Sequence, residues 1–180
     1  MSLLNRWSSL SLGIALVVIV PGITVSIASQ AAEEADRDTV VVRGTTGMSQ
    51  TFKVDDLKKL PRTEVETTDR KGQKVKYAGV PVSALLQKVG TANGETLRGE
   101  WMRAFVTVDA RDEYRAVFAL PEFDADFTDR VIFLAYERDG QPLNSEVGPL
   151  QIIVPGEKKH ARWVRMVKEI RVLDSQWFKE

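Results

Sequence analysis

The sequence predicts an α+β fold in which mixed β-strands are joined by short helices. Apolar runs rich in β-branched residues outnumber the segments with helical spacing. The helical segments are short and irregularly placed, whereas a doubly wound parallel sheet needs a helix between successive strands. Hydrophobic residues make up 43% and charged residues 28% of the 180 residues, which is typical of a globular protein with one core.

The first part of the predicted domain contains a strand, a short helix and a hairpin. Thr39–Arg43 is a run of β-branched residues that a glycine ends, so it indicates a strand. Val54–Leu60 has apolar residues at helical spacing, and a proline stops it. Thr63–Thr68 and Gln73–Tyr77 both alternate between apolar and polar residues, and the turn residues Arg70–Gly72 between them predict a hairpin.

The most regular helix of the sequence is predicted to begin at Pro81. Proline is favoured in the first turn of a helix, and Gly90 stands where a C-terminal cap belongs. Four apolar residues share one face of this helix and are expected in the core: Val82, Leu85, Leu86 and Val89.

The second half of the domain is predicted to be built from strands. Thr91–Gly99 is polar and is expected to form a loop, and the later connections are rich in charged residues, glycine and proline. The predicted strands are Trp101–Val108, Tyr114–Leu120, Val131–Tyr136, Leu150–Val154 and Val167–Leu173.

The N-terminus has the three parts of an export signal. Arg6 supplies positive charge, Leu10–Val20 is almost wholly apolar, and Pro21-Gly22 breaks the segment before small residues arrive. Small side chains at the recognition positions predict cleavage after Ala31, with Ala28 as a second candidate. We therefore expect a periplasmic or secreted protein.

An uncleaved membrane anchor over Leu10–Ala28 is the alternative to cleavage, but the proline and glycine shorten the unbroken apolar run. No twin arginine is present, so export is expected through the general route for unfolded chains, before any cofactor is loaded. The expected organisation is a signal peptide at 1–31, a mature tail at 32–38, a domain at 39–174 and a C-terminal tail at 175–180.

Charge and cysteine content exclude several kinds of site. Lys and Arg together equal Asp and Glu at 25 each, so no overall field gathers nucleic acid or an anionic membrane. The chain has no cysteine, which excludes disulfides and thiolate–metal sites. Its single histidine, His160, excludes a zinc or copper site of several imidazoles. Any anion binding must therefore be local.

A dense cationic loop follows the strand that Pro155-Gly156 stops. Arginine presents a planar fork of donors that pairs bidentately with phosphate, and backbone N–H groups after a tight turn add further donors. The loop thus indicates an oxyanion-binding site, and a solvated turn that only keeps the chain soluble is the alternative. Its basic residues are Lys158, Lys159, His160, Arg162, Arg165 and Lys168, with Trp163 among them.

The segment GPLQIIVPGEKKHARWVRMVKEIRV resembles the closing region of the molybdopterin-binding domain of sulfite oxidases and related bacterial periplasmic oxidoreductases. In that family a G-P-L-R-hydrophobic-V-P-G strand leads to a G-A-R-x-V-K-W loop. DLKKLP and YAGVPVSALLQKVG resemble two of its helices, and DEYRAVFALPEF resembles its D-G-Y segment, with Glu113 where glycine is usual. The resemblance runs from about Val40 to Leu173. It implies a sulfite oxidase-type α+β fold, most like the small single-domain members.

The resemblance also implies a cofactor, which this sequence can hold only in part. In the family a pyranopterin dithiolene carries molybdenum, and one cysteine thiolate of the protein is a metal ligand. The corresponding place here, Glu64–Gly79, has no cysteine and is shortened into a plain hairpin. What remains is the pterin and phosphate side. Arg162 and Arg165 match residues that reach the pterin or its phosphate, His160 replaces a glycine, and Lys158 and Lys159 are weaker candidates.

Other chemistry is less well supported by the residues. Asp109 with Asp112, and Asp124 with Asp126, are interpreted as turn residues and not as acid–base pairs or cation ligands. No serine stands in a glycine-flanked elbow, so a hydrolase triad is not expected. Near the C-terminus, Trp177-Phe178 is expected to dock against the domain or a partner.

These observations predict an exported molybdopterin-binding-domain protein that acts as a module for a small anionic ligand or pterin phosphate, serving a membrane sensor or a redox partner. Two alternatives remain open: a working molybdopterin-dependent oxidoreductase or a subunit of one, and a structural interaction domain. No catalytic residue, metal ligand or nucleic-acid partner is predicted, and a membrane is expected only through an uncleaved signal.

Overall fold

Two β-sheets of five strands each form the framework of residues 37–174, which are the residues that the computed structural model describes. The predicted signal peptide, both maturation sites and Trp177-Phe178 lie outside these residues. Within 37–174, no helix is long and apolar enough to cross a membrane.

The strands of this part of the chain are joined by two short α-helices and by 3₁₀ helices. The strands are β1 (Thr39–Arg43), β2 (Ser49–Lys53), β3 (Thr63–Thr68), β4 (Lys74–Pro81), β5 (Phe105–Ala110), β6 (Arg115–Ala119), β7 (Phe133–Arg138), β8 (Gln141–Pro142), β9 (Gln151–Ile153) and β10 (Val167–Leu173). The helices are α1 (Val54–Leu57) and α2 (Val82–Gln87), and the 3₁₀ helices are Gly94–Thr96, Gly99–Arg103, Leu120–Phe123 and His160–Arg162.

Antiparallel pairing dominates both sheets. The first sheet has the order β2-β1-β10-β5-β6, in which β1 and β10 form the parallel pair. The second has the order β3-β4-β7-β8, and β9 also pairs with β7. Mixed sheets with short, scattered helices confirm the predicted α+β class.

Apolar side chains from both sheets and from α2 join in one buried cluster. All four residues that were expected on the inner face of α2, Val82, Leu85, Leu86 and Val89, are buried in it. Burying an aliphatic side chain of this size contributes about 2 kcal/mol, so this face fixes α2 against the sheets. The cluster also buries Trp163 of the cationic loop, which ties that loop to the core.

The predicted strand Trp101–Val108 is wrong in its first half. Residues Gly99–Arg103 form a 3₁₀ helix, and the strand begins only at Phe105. Gly99 has a φ of +60°, a left-handed conformation that interrupts an extended chain. The β-branched and aromatic content of the segment could not reveal this turn.

Other predicted boundaries differ by a few residues. The predicted helix Val54–Leu60 ends at Leu57 and continues as turns, and Pro81 ends β4, so that α2 begins at Val82. Strand β2 was not predicted, because it is an edge strand in which Phe52 is the one buried residue. Strands β1 and β10 match their predicted bounds.

The turn between β5 and β6 explains the glycine of the family's D-G-Y segment. Glu113 has a φ of +67° there. An L-residue with a Cβ is disfavoured in this region by about 1 kcal/mol, whereas glycine has no such penalty. Glu113 therefore places a strain in this surface turn that glycine would avoid.

Candidate anion-binding site

A cleft opens between the tip of the β3–β4 hairpin and the cationic loop that joins β9 to β10. Its walls are Thr67–Arg70 on the hairpin side and Gly156–Ala161 on the loop side, and its volume is about 760 Å³. Gly156 has a φ of +79°, so the chain turns sharply after β9 and brings the loop back across the hairpin. We call this space the outer cleft.

A second space, the inner chamber, continues from the outer cleft toward the second sheet. It has a volume of about 430 Å³, and it shares Asp69, Arg70 and His160 with the outer cleft. Side chains of several strand and loop segments close it, among them Tyr77 of β4 and Gln151 of β9. Arg165 lines the chamber at the loop side.

Several cations along these two spaces form no ion pair with the described part of the chain. Within residues 37–174, no ion pair involves Arg70, Lys158, Lys159 or Arg165. The two lysines are exposed, and Arg165 is half-buried. Because arginine and lysine offer only donors, these four side chains can accept an anion without first releasing an internal carboxylate.

The aromatic residues hold the loop in place beside the chamber. The His160 ring stacks on Trp163, with ring centroids 3.8 Å apart and an interplanar angle of 15°. The Trp163 indole Nε1 donates to the carbonyl oxygen of Val154 at 3.0 Å, and its ring meets the edge of Tyr77 at 5.8 Å. Buried indole groups need such a partner, and here it fixes the loop to the end of β9.

Arg162 of the same loop is bound to carboxylates of the protein. Its Nη1 and Nη2 donate to the two oxygens of Glu122, each at 3.0 Å, and its Nε donates to Glu157 at 2.8 Å. The guanidinium carbon stands 4.5 Å from the centre of the Phe118 ring. We call this group the Arg162 clamp. It joins the loop to the 3₁₀ helix after β6.

The clamp lowers the pKa of the Glu122 carboxyl group. Burial alone would raise the pKa of Glu122, but hydrogen bonds from Arg162 and from the Ala119 N–H outweigh burial and hold it below its usual range. Arg130 also pairs with Glu122, at 3.3 Å. For Arg162, burial lowers the pKa, and its bonds to Glu122 and Glu157 more than compensate, so the net shift is upward.

A second pair fastens the hairpin tip. Asp69 accepts the backbone N–H groups of Gln73 and Lys71 at 3.0 and 2.9 Å, and it accepts Arg138 Nη2 at 2.8 Å. Those hydrogen bonds lower its pKa, with the Gln73 N–H the largest cause. Arg138 also stands over the Tyr77 ring, 5.9 Å from its centre. The hairpin wall of the cleft is thereby tied to the end of β7.

The structure separates the residues that the sequence placed in one site. Lys158, Lys159 and His160 line the outer cleft, and His160 and Arg165 line the inner chamber. Arg162 lines neither space, since its guanidinium is in the clamp.

Among the lining residues that were not predicted, two bear on anion binding. Arg70 was assigned only to a turn, although its position at a hairpin tip is compatible with exposure to a ligand. Gln151 was passed over as part of the strand Leu150–Val154; the signal that could have found it is a polar residue inside an otherwise apolar, buried run.

Asp112 and Asp124 bond to nearby backbone in turns, as the turn interpretation expects, whereas the assignment of Asp109 to a turn is wrong, because Asp109 lies within β5. Asp112 accepts the N–H of Tyr114, and Asp124 accepts the N–H groups of Asp126 and Gly94. Asp109 is buried in β5 and pairs with Arg115. Among residues 37–174, no group of three or more His, Cys, Asp or Glu side chains could hold a metal ion.

Comparison with known proteins gives the family of the chain. Residues 28–179 match the family described as oxidoreductase molybdopterin binding domain, and the chain belongs to that family. Its fold is the sulfite oxidase-type molybdopterin-binding fold.

One solved structure illustrates that fold. The sulfane dehydrogenase SoxCD from Paracoccus pantotrophus is similar with a TM-score of 0.59 and 17% sequence identity over 78% of this chain. The match spans 40% of the SoxCD chain, so this protein corresponds to less than half of it. No curated protein matches the chain.

The donors of this chain fit only one end of the family's cofactor. The full sequence has no cysteine, so no thiolate can ligate molybdenum from the hairpin or from any other segment. The cationic cleft does suit a phosphate or another oxyanion. The anionic end of the cofactor therefore finds suitable residues, and the metal end does not.

Proposed function

We propose that this protein is an exported, non-catalytic binding module that holds a small anionic ligand in the outer cleft and inner chamber. The proposal is carried by the cations along these spaces that form no ion pair within residues 37–174: Arg70, Lys158, Lys159 and Arg165. The whole chain has equal numbers of basic and acidic residues, so an anion is attracted at this place and not over the whole surface.

Local geometry supports binding over simple solubility. Charges that only keep a turn soluble need no concave surface, whereas these line a cleft of about 760 Å³ between two segments that are distant in sequence. The loop is anchored by the Trp163 Nε1–Val154 bond and by the Arg162 clamp. A site held in this way loses little conformational entropy when a ligand binds.

The lack of cysteine argues against catalysis by the family's usual chemistry. That chemistry relies on a molybdenum ion with a protein thiolate, and the chain supplies none. Export in an unfolded state, which the N-terminal signal predicts, would also precede loading of the cofactor. A periplasmic sensor or redox partner that reads the bound anion fits this arrangement.

Thermal unfolding tests anion binding directly. The melting temperature of the purified protein is measured in sodium phosphate and in sodium chloride of equal ionic strength, and phosphate is expected to raise it by a saturable amount. The double variant Lys158→Ala/Lys159→Ala is expected to lose the effect. The control Lys88→Ala/Arg98→Ala removes two exposed cations outside the cleft and is expected to keep it. Equal melting temperatures in the two salts would refute the proposal.

A working molybdopterin-dependent oxidoreductase, or a subunit of one, is the second candidate, and family membership favours it. Metal analysis of protein isolated from its native host separates the two functions. The binding module predicts neither stoichiometric molybdenum nor the fluorescence of oxidised pterin. Stoichiometric molybdenum together with that fluorescence would replace our proposal with the second candidate.

A further inference from the structure

One side chain that lines the inner chamber has a buried amide oxygen without a hydrogen-bond partner among the described residues. Gln151 is 6% exposed and lines the chamber, yet its Oε1 atom is buried with no partner among the described residues. Buried polar atoms are almost always bonded, so an unbonded one on a side chain that lines a chamber is a candidate partner for a ligand. The nearby Trp163 indole cannot serve, because its N–H is already given to Val154.

Further acceptors stand around the same chamber. Asp139 and Glu146 line it, and within residues 37–174 no ion pair involves the Glu146 carboxylate. Asp69, which also borders the chamber, is already shared between backbone N–H groups and Arg138. The chamber therefore offers cations and acceptors together, whereas the two carboxylates of the outer cleft, Asp69 and Glu157, are already paired with Arg138 and Arg162.

This mixture distinguishes between anions of equal shape and charge. An oxyanion without protons has only lone pairs, so it is attracted to Arg165 but repelled by Glu146 and by an unpaired amide oxygen. An oxyanion that keeps one proton satisfies both kinds of group, because its O–H donates to an acceptor while its other oxygens accept from the cations. When the O–H of the ligand bonds to a buried acceptor that had no partner, the binding free energy becomes more favourable.

We propose that the inner chamber selects oxyanions that retain a proton, with hydrogen phosphate preferred over sulfate, and that Gln151 is a specificity residue for that proton. This inference rests on the proposed function, since it requires an anion in the cleft, and it adds the class of anion. Sequence alone gives the residue no such role.

Calorimetric titration at pH 8 and constant ionic strength compares three probes on the wild-type protein. Hydrogen phosphate keeps one O–H at this pH, sulfate has none, and methyl phosphate has lost its last acidic proton, because phosphate esters have a second pKa of about 6. Phosphate is expected to bind about tenfold more tightly than the other two, the factor that one net hydrogen bond supplies.

The variant Gln151→Met tests the residue, because it keeps an unbranched side chain and removes the amide. Its phosphate affinity is expected to fall to the level of sulfate, while its sulfate affinity stays within about twofold of the wild type. A variant that keeps the preference would overturn the assignment of Gln151. The selectivity itself is tested by the affinity ratios of the three probes on the wild-type protein. It therefore stays testable even if Gln151→Met folds poorly.

The outcomes separate this inference from the proposed function. Equal affinity for the three probes overturns the proton selectivity and leaves anion binding intact. Binding of none of them overturns the proposed function and this inference with it. Tighter binding of sulfate than of phosphate contradicts the inference directly, since it shows that the acceptors do not face the anion.

Discussion

Two arginines three residues apart on the same loop have opposite surroundings. Arg162 is held by two carboxylates and covers an aromatic ring, while Arg165 lines the inner chamber and has no ion pair within residues 37–174. One cation is already neutralised by the protein and the other is available. The comparison teaches that a count of basic residues predicts a charged loop, whereas the partners of each residue decide which of them can bind a ligand.

The first prediction compares how much Arg162 and Arg165 contribute to the stability of the fold. Arg162→Ala leaves Glu122 and Glu157 partly buried without their main partner, so it is expected to lower the free energy of unfolding by about 2 kcal/mol. Arg165→Ala is expected to change it by less than about 0.5 kcal/mol. Urea unfolding of both variants measures the difference. Similar losses in the two variants would show that the clamp is not the stabilising group.

The second prediction concerns the affinity for phosphate, on which the change at Arg165 is expected to have the larger effect and the change at Arg162 the smaller. Arg165→Ala is expected to weaken phosphate binding about tenfold, because it removes one charge-assisted hydrogen bond from the inner chamber. Arg162→Lys keeps a positive charge near Glu122 and is expected to leave the affinity within about twofold. Calorimetric titration of the two folded variants checks this order, and a reversed order would place the ligand at Arg162.

The third prediction concerns pH. The pKa of Glu122 lies below its ordinary value of 4.5 in the folded protein, so its contribution to stability is complete above pH 4.5 and is lost as the pH falls through the lowered pKa. Glu122→Gln is expected to be about 1 kcal/mol less stable at pH 7, with the difference shrinking below pH 4.5. Unfolding curves from pH 7 to 3 measure it. A difference that stays constant with pH would contradict the ionic role of Glu122.

The fourth prediction has the smallest effect. Asp69→Asn keeps an oxygen for the Gln73 and Lys71 N–H groups but removes the negative charge beside Arg138. Phosphate affinity is expected to rise about twofold, because one more cation at the chamber becomes available. Titration against the wild type tests this, and weaker binding would show that the fastened hairpin matters more than the added charge.

Local chain chemistry allowed much of the fold to be predicted. The β-branched runs of β1 and β10 and the apolar face of α2 carry their signal in adjacent residues, and the structure reproduces them. The strand expected from Trp101 failed because a left-handed Gly99 starts a 3₁₀ turn, which composition does not reveal. Edge strand β2 was missed because it buries so little.

The site was predictable only in part, for a physical reason. The loop of basic residues is visible in the sequence, but the Glu122 partner of Arg162 lies forty residues away in the chain. No local pattern links those two residues. In the same way, Gln151 stands out in the sequence as a polar residue in an apolar run, but the missing partner of its Oε1 atom is evident only from the three-dimensional structure.

Nuclear magnetic resonance of backbone amides tests the central claim most directly, that the cleft side of the loop receives the anion and the clamp side does not. During a phosphate titration at constant ionic strength, we expect saturable shifts at Arg70, Lys158, Lys159 and Arg165, with the amides of Glu122 and Arg130 unchanged. Saturable shifts centred on Glu122, or no saturable shift at any of these amides, would contradict the account.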